Sequence, residues 1–317
     1  MKKIWERQLI VKLKSKLNRT MMQFGHNTDD RNLIINVNGN KYLSSLKDEF
    51  VVDIFNLTYG EIAKIIAYKY DEIEVFAGYK STGVNKIFEG KILDVSMDRE
   101  SRETNIVHII CVSKLLGLYN SRLNLSLNSG VNMYAALDFI LKRAGIQGSN
   151  ISEEFKRQFI TDTMSAKGTA SSFLDVFTRN STSFAVQADS SKGAIVSIWD
   201  MKRTDARVVN IRPENGLLIK GYPTLTSEGV QLTSLPIFNF MPGDTLVIDN
   251  RLIDISISSV QEAKQTQLGF YLDKNNQYLL VELNYNLSNA DGEFEVRMKA
   301  RSKSMLNNMF GGAVRWV

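Results

Sequence analysis

The chain has 317 residues, of which 44% are hydrophobic and 23% are charged, a composition typical of a folded protein with two or three domains. Its one cysteine (Cys111) and two histidines (His26 and His108) exclude an intramolecular disulfide and a four-ligand cysteine–histidine zinc site. The formal net charge of +5 is concentrated in the first twenty residues, which hold seven basic residues and one acidic residue.

The basic N-terminal segment predicts a β-strand over about residues 8–17. Apolar Leu9, Val11 and Leu13 alternate there with Lys12 and Lys14, which is close to the period of two that a strand requires. We interpret Lys12 and Lys14 either as the solvated lysine face of this strand or as a contact with a protein partner. A nucleic-acid-binding arm is the alternative, but neither an aromatic RNA-binding motif nor a basic recognition helix follows.

The next hundred residues predict a strongly curved sheet. Asn38-Gly39 is typical of a hairpin turn between strands at 33–37 and 41–43. A strand over 50–57 follows, and Thr58 with Glu61 matches a capping box that starts a helix over 59–69. Strands are then expected at 71–79, 86–95 and 104–113, so we assign residues 1–116 to a first β-barrel domain.

The pattern becomes mixed in residues 117–205. Apolar residues recur at helical spacing from Met133, and Gly145 is placed to end that helix. Short helices are expected at 152–159 and 169–177, followed by a hairpin of strands at 184–188 and 194–199.

From residue 206 the chain reads as short strands and turns. The turn Pro242-Gly243-Asp244 is one of several that separate strands such as 229–233, 245–248 and 278–284. We assign 206–303 to a second β-barrel domain and 304–317 to a C-terminal tail. The predicted fold class is mainly β with an α+β insert, as two small tube-type β-barrels flanking a mixed α/β middle region.

Motifs for chemistry are lacking. We find no nucleophile elbow, P-loop, HExxH or dinucleotide fingerprint. His108 and Cys111 lie three residues apart on one expected strand and so point to opposite faces. Glu72 and Glu74 face the same side of a strand, but a strand surface explains them without the acid–base pair of a glycosidase. We therefore expect no enzyme activity, no cofactor and no metal.

Targeting signals are not evident either. No run approaches the ~18 apolar residues of a membrane-spanning helix. The basic N-terminus is not followed by an apolar stretch with a cleavage site, so we expect neither a membrane span nor a signal peptide.

Six segments, taken in chain order, carry a resemblance to a known family. They are Phe50 to Thr58, Ile73 to Tyr79, Ile87 to Leu93, Gly221 to Leu235, Phe240 to Ile248, and Tyr278 to Asn286. The first three are similar to the first barrel of the baseplate hub proteins of contractile-tailed phages, a Mu-type family also called late control protein D-like, and the last three are similar to its second barrel. No single motif is specific, but the ordered set spans about residues 33–300.

The resemblance implies a structural hub of a phage tail baseplate. Such a hub is a homotrimer whose six barrels form a pseudo-sixfold ring, which adapts a hexameric tail tube to a trimeric central spike and leaves a channel for the genome. The implied partners are the central spike protein, the tail tube or tube-initiator protein, the baseplate wedge proteins and the tape measure protein, with DNA only in transit. The implied location is the virion tail baseplate, after synthesis in the host cytoplasm.

Two alternatives stay open beside this reading. One is a peptidoglycan-degrading tail enzyme, and the other is the hub of a related contractile injection device. No lysozyme domain or spike helix is evident in the sequence, so we expect partner chains to supply cell-wall cleavage and puncture.

The C-terminal tail is unusually apolar. Met309, Phe310 and Trp316 have no expected domain around them. Two interpretations stay open: a tail that docks on its own barrel or frays, and a tail that uses these residues as anchors on the spike or on a neighbouring subunit.

Overall fold

The fold is known from a computed structural model. It describes residues 6–15, 21–25, 33–43, 48–67, 70–101, 104–115, 118, 120–146, 148–174, 184–189, 195–200, 206–215, 217–218, 221–226, 229–255, 272–290 and 292–304. Most of these residues lie in strands, which confirms a mainly β fold with a mixed insert. Among the described residues, no helix combines the length and the hydropathy that crossing a bilayer requires.

The N-terminal region contains seven strands and one helix. The helix, α1 (Tyr59–Ile66), begins at the predicted capping box: the Thr58 side chain accepts from the Glu61 N–H, and Glu61 Oε2 accepts from the Thr58 N–H at 2.8 Å. The strands are β1 (Arg7–Lys14), β2 (Met21–Gly25), β3 (Ile35–Tyr42), β4 (Glu49–Phe55), β5 (Glu72–Tyr79), β6 (Gly83–Arg99) and β7 (Asn105–Ser113).

The insert is built around helix α2 (Met133–Arg143), which ends at Ala144 with Gly145 in the left-handed region at φ +76°, as predicted. The helix expected at 152–159 is a shorter 3₁₀ helix, Glu153–Arg157, and of the one expected at 169–177 the described residues 170–174 are helical. The predicted hairpin is confirmed, since the strands Phe184–Asp189 and Ile195–Asp200 pair antiparallel. The insert strands are β8 (Arg122–Leu127), β9 (Gly148–Ile151), β10 (Met164–Thr169), β11 (Phe184–Asp189) and β12 (Ile195–Asp200).

The C-terminal region has seven described strands and two short 3₁₀ turns. The elements are β13 (Val208–Ile211), the turn Pro213–Asn215, β14 (Thr224–Thr226), β15 (Gly229–Ser234), β16 (Thr245–Ile248), the turn Asn250–Leu252, β17 (Asp254–Ile255), β18 (Gln277–Ser288) and β19 (Phe294–Ser302).

One sheet joins the two ends of the chain. Fourteen described strands belong to it, in the order β17-β14-β15-β19-β18-β3-β4-β7-β6-β5-β1-β2, with β16 and β13 branching from β18. The branch arises because β18 pairs with β19 along one edge, and along the other with β16 through Gln277–Leu279 and then with β3 through Glu282–Ser288. Strand β18 is thus shared by both β-rich regions.

The packing follows the same division. One hydrophobic core contains buried residues from both β-rich regions, from Leu9 to Ala300. A second core lies in the insert and extends from Leu118 to Ile198, joined by Leu115 just before it. The insert therefore packs around its own centre, while the two β-rich regions share theirs.

The hairpin predicted at Asn38-Gly39 was wrong. Both residues lie in the middle of β3, where Asn38 pairs with Asn286 of β18 and with Val51 of β4. Gly39 does not form a turn; it leaves room for the ring of buried Phe50. A Cβ at position 39 would lie 2.3 Å from that ring.

Candidate interface surfaces

The two lysines predicted to bind a partner lie side by side on β1, but their surroundings differ. Lys14 Nζ lies 2.8 Å from Glu74 Oε2, so its charge is matched within the chain. Lys12 Nζ lies 4.9 Å from the centre of the Phe76 ring and, in the described part of the chain, has no carboxylate partner. Lys12 is therefore the freer of the two for contact with another molecule.

Lys14 belongs to a cluster of three lysines and three glutamates on the outward face of β1, β5 and β6, which we call the Lys–Glu cluster (Lys14, Lys86, Lys114, Glu72, Glu74 and Glu89). Lys114 Nζ lies 2.8 Å from Glu72 Oε2 and 2.6 Å from Glu89 Oε1. Lys86 bridges Glu74, at 3.2 Å, and Glu89. The formal charges of the cluster cancel, which makes this face a poor arm for nucleic-acid phosphates.

The shifts in pKa within the cluster follow from these contacts. Burial disfavours the charged forms, but hydrogen bonds from Lys114 and Lys86 outweigh it and lower the pKa of Glu89. The same bonds raise the pKa of both lysines against the effect of burial. Glu72 and Glu74, which were weighed and set aside as a glycosidase pair on sequence grounds, each lie 2.8 Å from a lysine Nζ.

A second surface, the polar face, is the outward side of β15, β19, β18 and β3. Most inward residues of these strands are buried and apolar, with Lys41, Ser234 and Ser302 as buried polar exceptions. The outward residues are mainly amides, hydroxyls and charged side chains. Cross-strand registers place them in adjoining rows. The residues of the polar face are Gln231, Thr233, Arg297, Lys299, Glu282, Asn284, Asn286, Asn36, Asn38 and Asn40.

Most charges of the polar face are matched locally, whereas Arg301, also on the outward side of β19, is exposed. Lys299 Nζ lies 3.1 Å from Glu282 Oε2, and Arg297 contacts Glu295 at 2.9 Å and Glu293 at 2.8 Å. A hollow of about 500 Å³ lies over these rows, with Tyr222 and Thr224 among its lining residues. The face is therefore hydrophilic with little net charge, and asparagine is its commonest side chain.

The polar face continues onto β4 and β7 through a histidine. His108 Nδ1 lies 2.7 Å from Asp53 Oδ1, and its Nε2 lies 3.4 Å from Asp98 Oδ2. Cys111 points the other way, is fully buried, and donates from Sγ to the Phe50 carbonyl oxygen at 3.1 Å. Burial raises the pKa of the Cys111 thiol well above its usual value. The predicted separation of the two side chains is confirmed, and they form no dyad.

A third feature is the end of β19, where the C-terminal tail begins. Ser302 and Ser304 are both bonded to the buried carboxylate of Asp273. The predicted anchors Met309, Phe310 and Trp316 lie outside the described residues. Across the described ranges, no group of three or more histidine, cysteine or acidic side chains is arranged to hold a metal ion.

Sequence reasoning missed most of these surfaces. The asparagine rows and the Lys–Glu cluster form between strands that are distant in the chain, such as β3 and β18. A local signal did exist for the polar face, because Asn36, Asn38 and Asn40 alternate with Val37 and Gly39 in the sequence.

Comparison with known proteins identifies the fold. No protein-family model and no curated protein matches the sequence. Among solved structures, the 43 kDa tail protein of prophage MuSo2 from Shewanella oneidensis is similar at 9% identity and a TM-score of 0.57, over 95% of this chain and 98% of that chain. A tail protein from Neisseria meningitidis MC58 is similar with the same identity, coverage and TM-score.

A third similar structure comes from a different machine. It is an Escherichia coli component of the type VI secretion system, described as structurally similar to bacteriophage T4 tail proteins, with 9% identity and a TM-score of 0.54 over 87% of this chain and 75% of that chain. The chain thus has the fold of phage tail proteins, in agreement with the resemblance in its motifs.

Proposed function

We propose that the protein is the structural hub of a phage tail baseplate. Three copies form a ring, and each copy contributes its two β-rich regions, 1–116 and 206–303, as two of six similar barrels. The ring meets a hexameric tail tube on one side and a trimeric central spike on the other. The single observation that carries this proposal is the likeness to a prophage tail protein over 95% of this chain and 98% of that chain.

The shared sheet supports this architecture. Because β18 pairs with both β3 and β16, the two β-rich regions are held together by backbone hydrogen bonds and one core. A subunit of this kind holds its two β-rich regions at a fixed angle to each other. A ring of six barrels built from three chains requires such a fixed angle. Contacts between copies in a permanent ring should bury on the order of 2,000 Å² or more.

The polar face is the surface we assign to the channel. DNA binds proteins mainly through unpaired cations that neutralise its phosphates. Lys299 and Arg297 are paired with glutamates, and the remaining side chains are mostly amides and hydroxyls. A wall of this composition stays hydrated and holds a passing polyanion weakly, so DNA contacts the hub only in transit.

The partners follow from this position. They are the central spike protein, the tail tube or tube-initiator protein, the baseplate wedge proteins and the tape measure protein, all in the virion tail. We propose that Lys12 contacts a protein partner from the β1 face, and that Met309, Phe310 and Trp316 anchor the tail on an apolar surface of a partner chain. The chemistry of cell-wall cleavage belongs to other chains.

A hub of a related contractile injection device is the second candidate. It is favoured by the likeness to the type VI secretion component. The two candidates differ in cargo, since only the phage hub must pass DNA.

Mass measurement in solution tests the proposal. Light scattering on the purified full chain, alone and mixed with the candidate spike protein, should give three times the 35.8 kDa chain mass and a larger complex. Deleting residues 305–317 should weaken the complex with the spike and leave the trimer. A chain that stays monomeric at all concentrations and never joins a spike would overturn the proposal.

A further inference from the structure

A buried carboxylate ties the start of the C-terminal tail to the body of the protein. Asp273 is 1% exposed and lies in the turn before β18. It accepts hydrogen bonds from the N–H groups of Asn275 at 2.8 Å and Gln277 at 3.1 Å, which close its own turn. It also accepts from Ser302 Oγ at 3.1 Å and from the Ser304 N–H at 2.6 Å, which hold the end of β19.

The turn that holds Asp273 is itself fixed by its neighbours. The Asp273 N–H donates to the Tyr278 hydroxyl oxygen at 3.1 Å, and that hydroxyl donates to Asn250. Asn250 Nδ2 donates in turn to the Asp273 carbonyl oxygen at 2.8 Å. Tyr278 is fully buried, so a network of hydrogen bonds among buried groups fixes the turn that carries the Asp273 carboxylate.

The hydrogen bonds to Asp273 favour the ionised form of its carboxyl group. Burial opposes ionisation, but the N–H groups of Ser304, Gln277 and Asn275 outweigh it and lower the pKa of the carboxyl group. Hydrogen bonds to a charged acceptor are about twice as strong as neutral ones. One further contact, from Lys303 Nζ to Thr245 Oγ1 at 3.2 Å, holds the residue between the two serines.

We infer that Asp273 is a positioning residue that fixes the place and direction of the chain at Ser304, where the C-terminal tail leaves the β-fold. The inference rests on the proposed role of the tail in binding a partner. A segment that starts from a fixed point loses less conformational entropy when its apolar anchor residues bind a partner. Because the starting point is fixed at Ser304, the partner surface must lie within reach of the β16–β18 end of the sheet.

Hydrogen exchange and spin-label distances on the full chain test this. Asp273→Asn keeps the shape and removes the charge, so the Ser304 amide should exchange about 10-fold faster or more. A spin label at Met305→Cys, measured against one at Gln231→Cys, should give a narrow distance distribution that Asp273→Asn broadens. Native Cys111 is buried and does not compete for the label.

Two variants control for folding. Asp138→Asn changes a carboxylate in the insert, far from this network, which accepts from Lys142 Nζ at 2.6 Å, and should leave exchange at 302–304 unchanged. Ser302→Ala removes one of the hydrogen bonds to Asp273 and should increase the exchange rate of the Ser304 amide by less than Asp273→Asn does. This variant keeps the test valid if Asp273→Asn unfolds.

The outcomes separate the inference from the proposed function. Unchanged Ser304 exchange in both Asp273→Asn and Ser302→Ala, or an equally broad distance distribution with and without the Asp273 charge, overturns the inference whatever the oligomeric state. A persistent monomer with the expected exchange and distances overturns the hub proposal and leaves the positioning role intact.

Discussion

Gly39 is the position where one added carbon should disturb the sheet most. It lies in β3 between β18 and β4, and a Cβ built there would approach the Phe50 ring to 2.3 Å, where ordinary contacts are 3.4–4 Å. Phe50 cannot yield easily, because it is fully buried, stacks on Phe88 at 4.2 Å between ring centres, and contacts Tyr285 at 5.5 Å.

The size of the effect of Gly39→Ala follows from three terms. Overpacking a core costs about 1–3 kcal/mol. Displacing Phe50 from its ring partners adds up to about 1 kcal/mol. Replacing glycine lowers the entropy of the unfolded chain and returns about 0.5–1 kcal/mol. We expect a net loss of about 2 kcal/mol in the free energy of unfolding.

Urea unfolding of a double-mutant cycle with Phe50→Leu measures this. Phe50→Leu alone should cost about 1–2 kcal/mol. In the double variant the smaller leucine side chain at position 50 makes room for the added methyl group. The double variant should therefore lose at least ~1 kcal/mol less unfolding free energy than the sum of the two single losses. Gly60→Ala is the matched control, because nothing lies within 4 Å of its added Cβ. Additive losses, or a Gly39→Ala protein as stable as the parent, would refute the steric argument.

Three further predictions concern single side chains. Because the pKa of Glu89 is lowered in the folded protein, its stabilising effect is complete above the unfolded pKa of about 4.3 and is lost as the pH falls through the folded pKa. Glu89→Gln should therefore flatten the acid side of a plot of unfolding free energy against pH. It should also lower the free energy of unfolding at pH 7 by about 1 kcal/mol. Thr58→Ala removes the capping box of α1 and should lower the free energy of unfolding by about 1 kcal/mol in urea titrations, whereas Thr58→Ser should not. Cys111, with its raised thiol pKa and full burial, should react with a thiol reagent only after unfolding; rapid reaction of the native protein would contradict its placement.

Local patterns predicted the elements whose causes are local. The alternation of Leu9, Val11 and Leu13 with lysines correctly predicted that these three residues lie in the core. The capping box at Thr58 depends on a side-chain contact within three residues, and the end of α2 depends on the backbone conformation of Gly145. These are the features on which periodicity and capping rules rest.

The misread features depend on distant partners. Asn38-Gly39 has the local chemistry of a turn, but β18, about 245 residues later, pairs with it and keeps it extended. The Lys–Glu cluster likewise needs β1, β5, β6 and Lys114 side by side before any charge finds its partner. In the same way, nothing near Asp273 in the sequence indicates that it will bind Ser302 and Ser304.

The shared strand β18 also has a consequence for synthesis on the ribosome. Strand β3 ends at Tyr42, and its partner strand begins at Gln277, so the intervening residues must be translated before the N-terminal region can complete its hydrogen bonding. At about 5–20 residues per second, this leaves one edge of β3 open for roughly 12–50 s. The insert, with a core of its own, can fold during that interval. We therefore expect nascent chains that stop before residue 277 to be prone to edge-to-edge aggregation or chaperone capture, and full-length release to be the step that makes the protein assembly-competent.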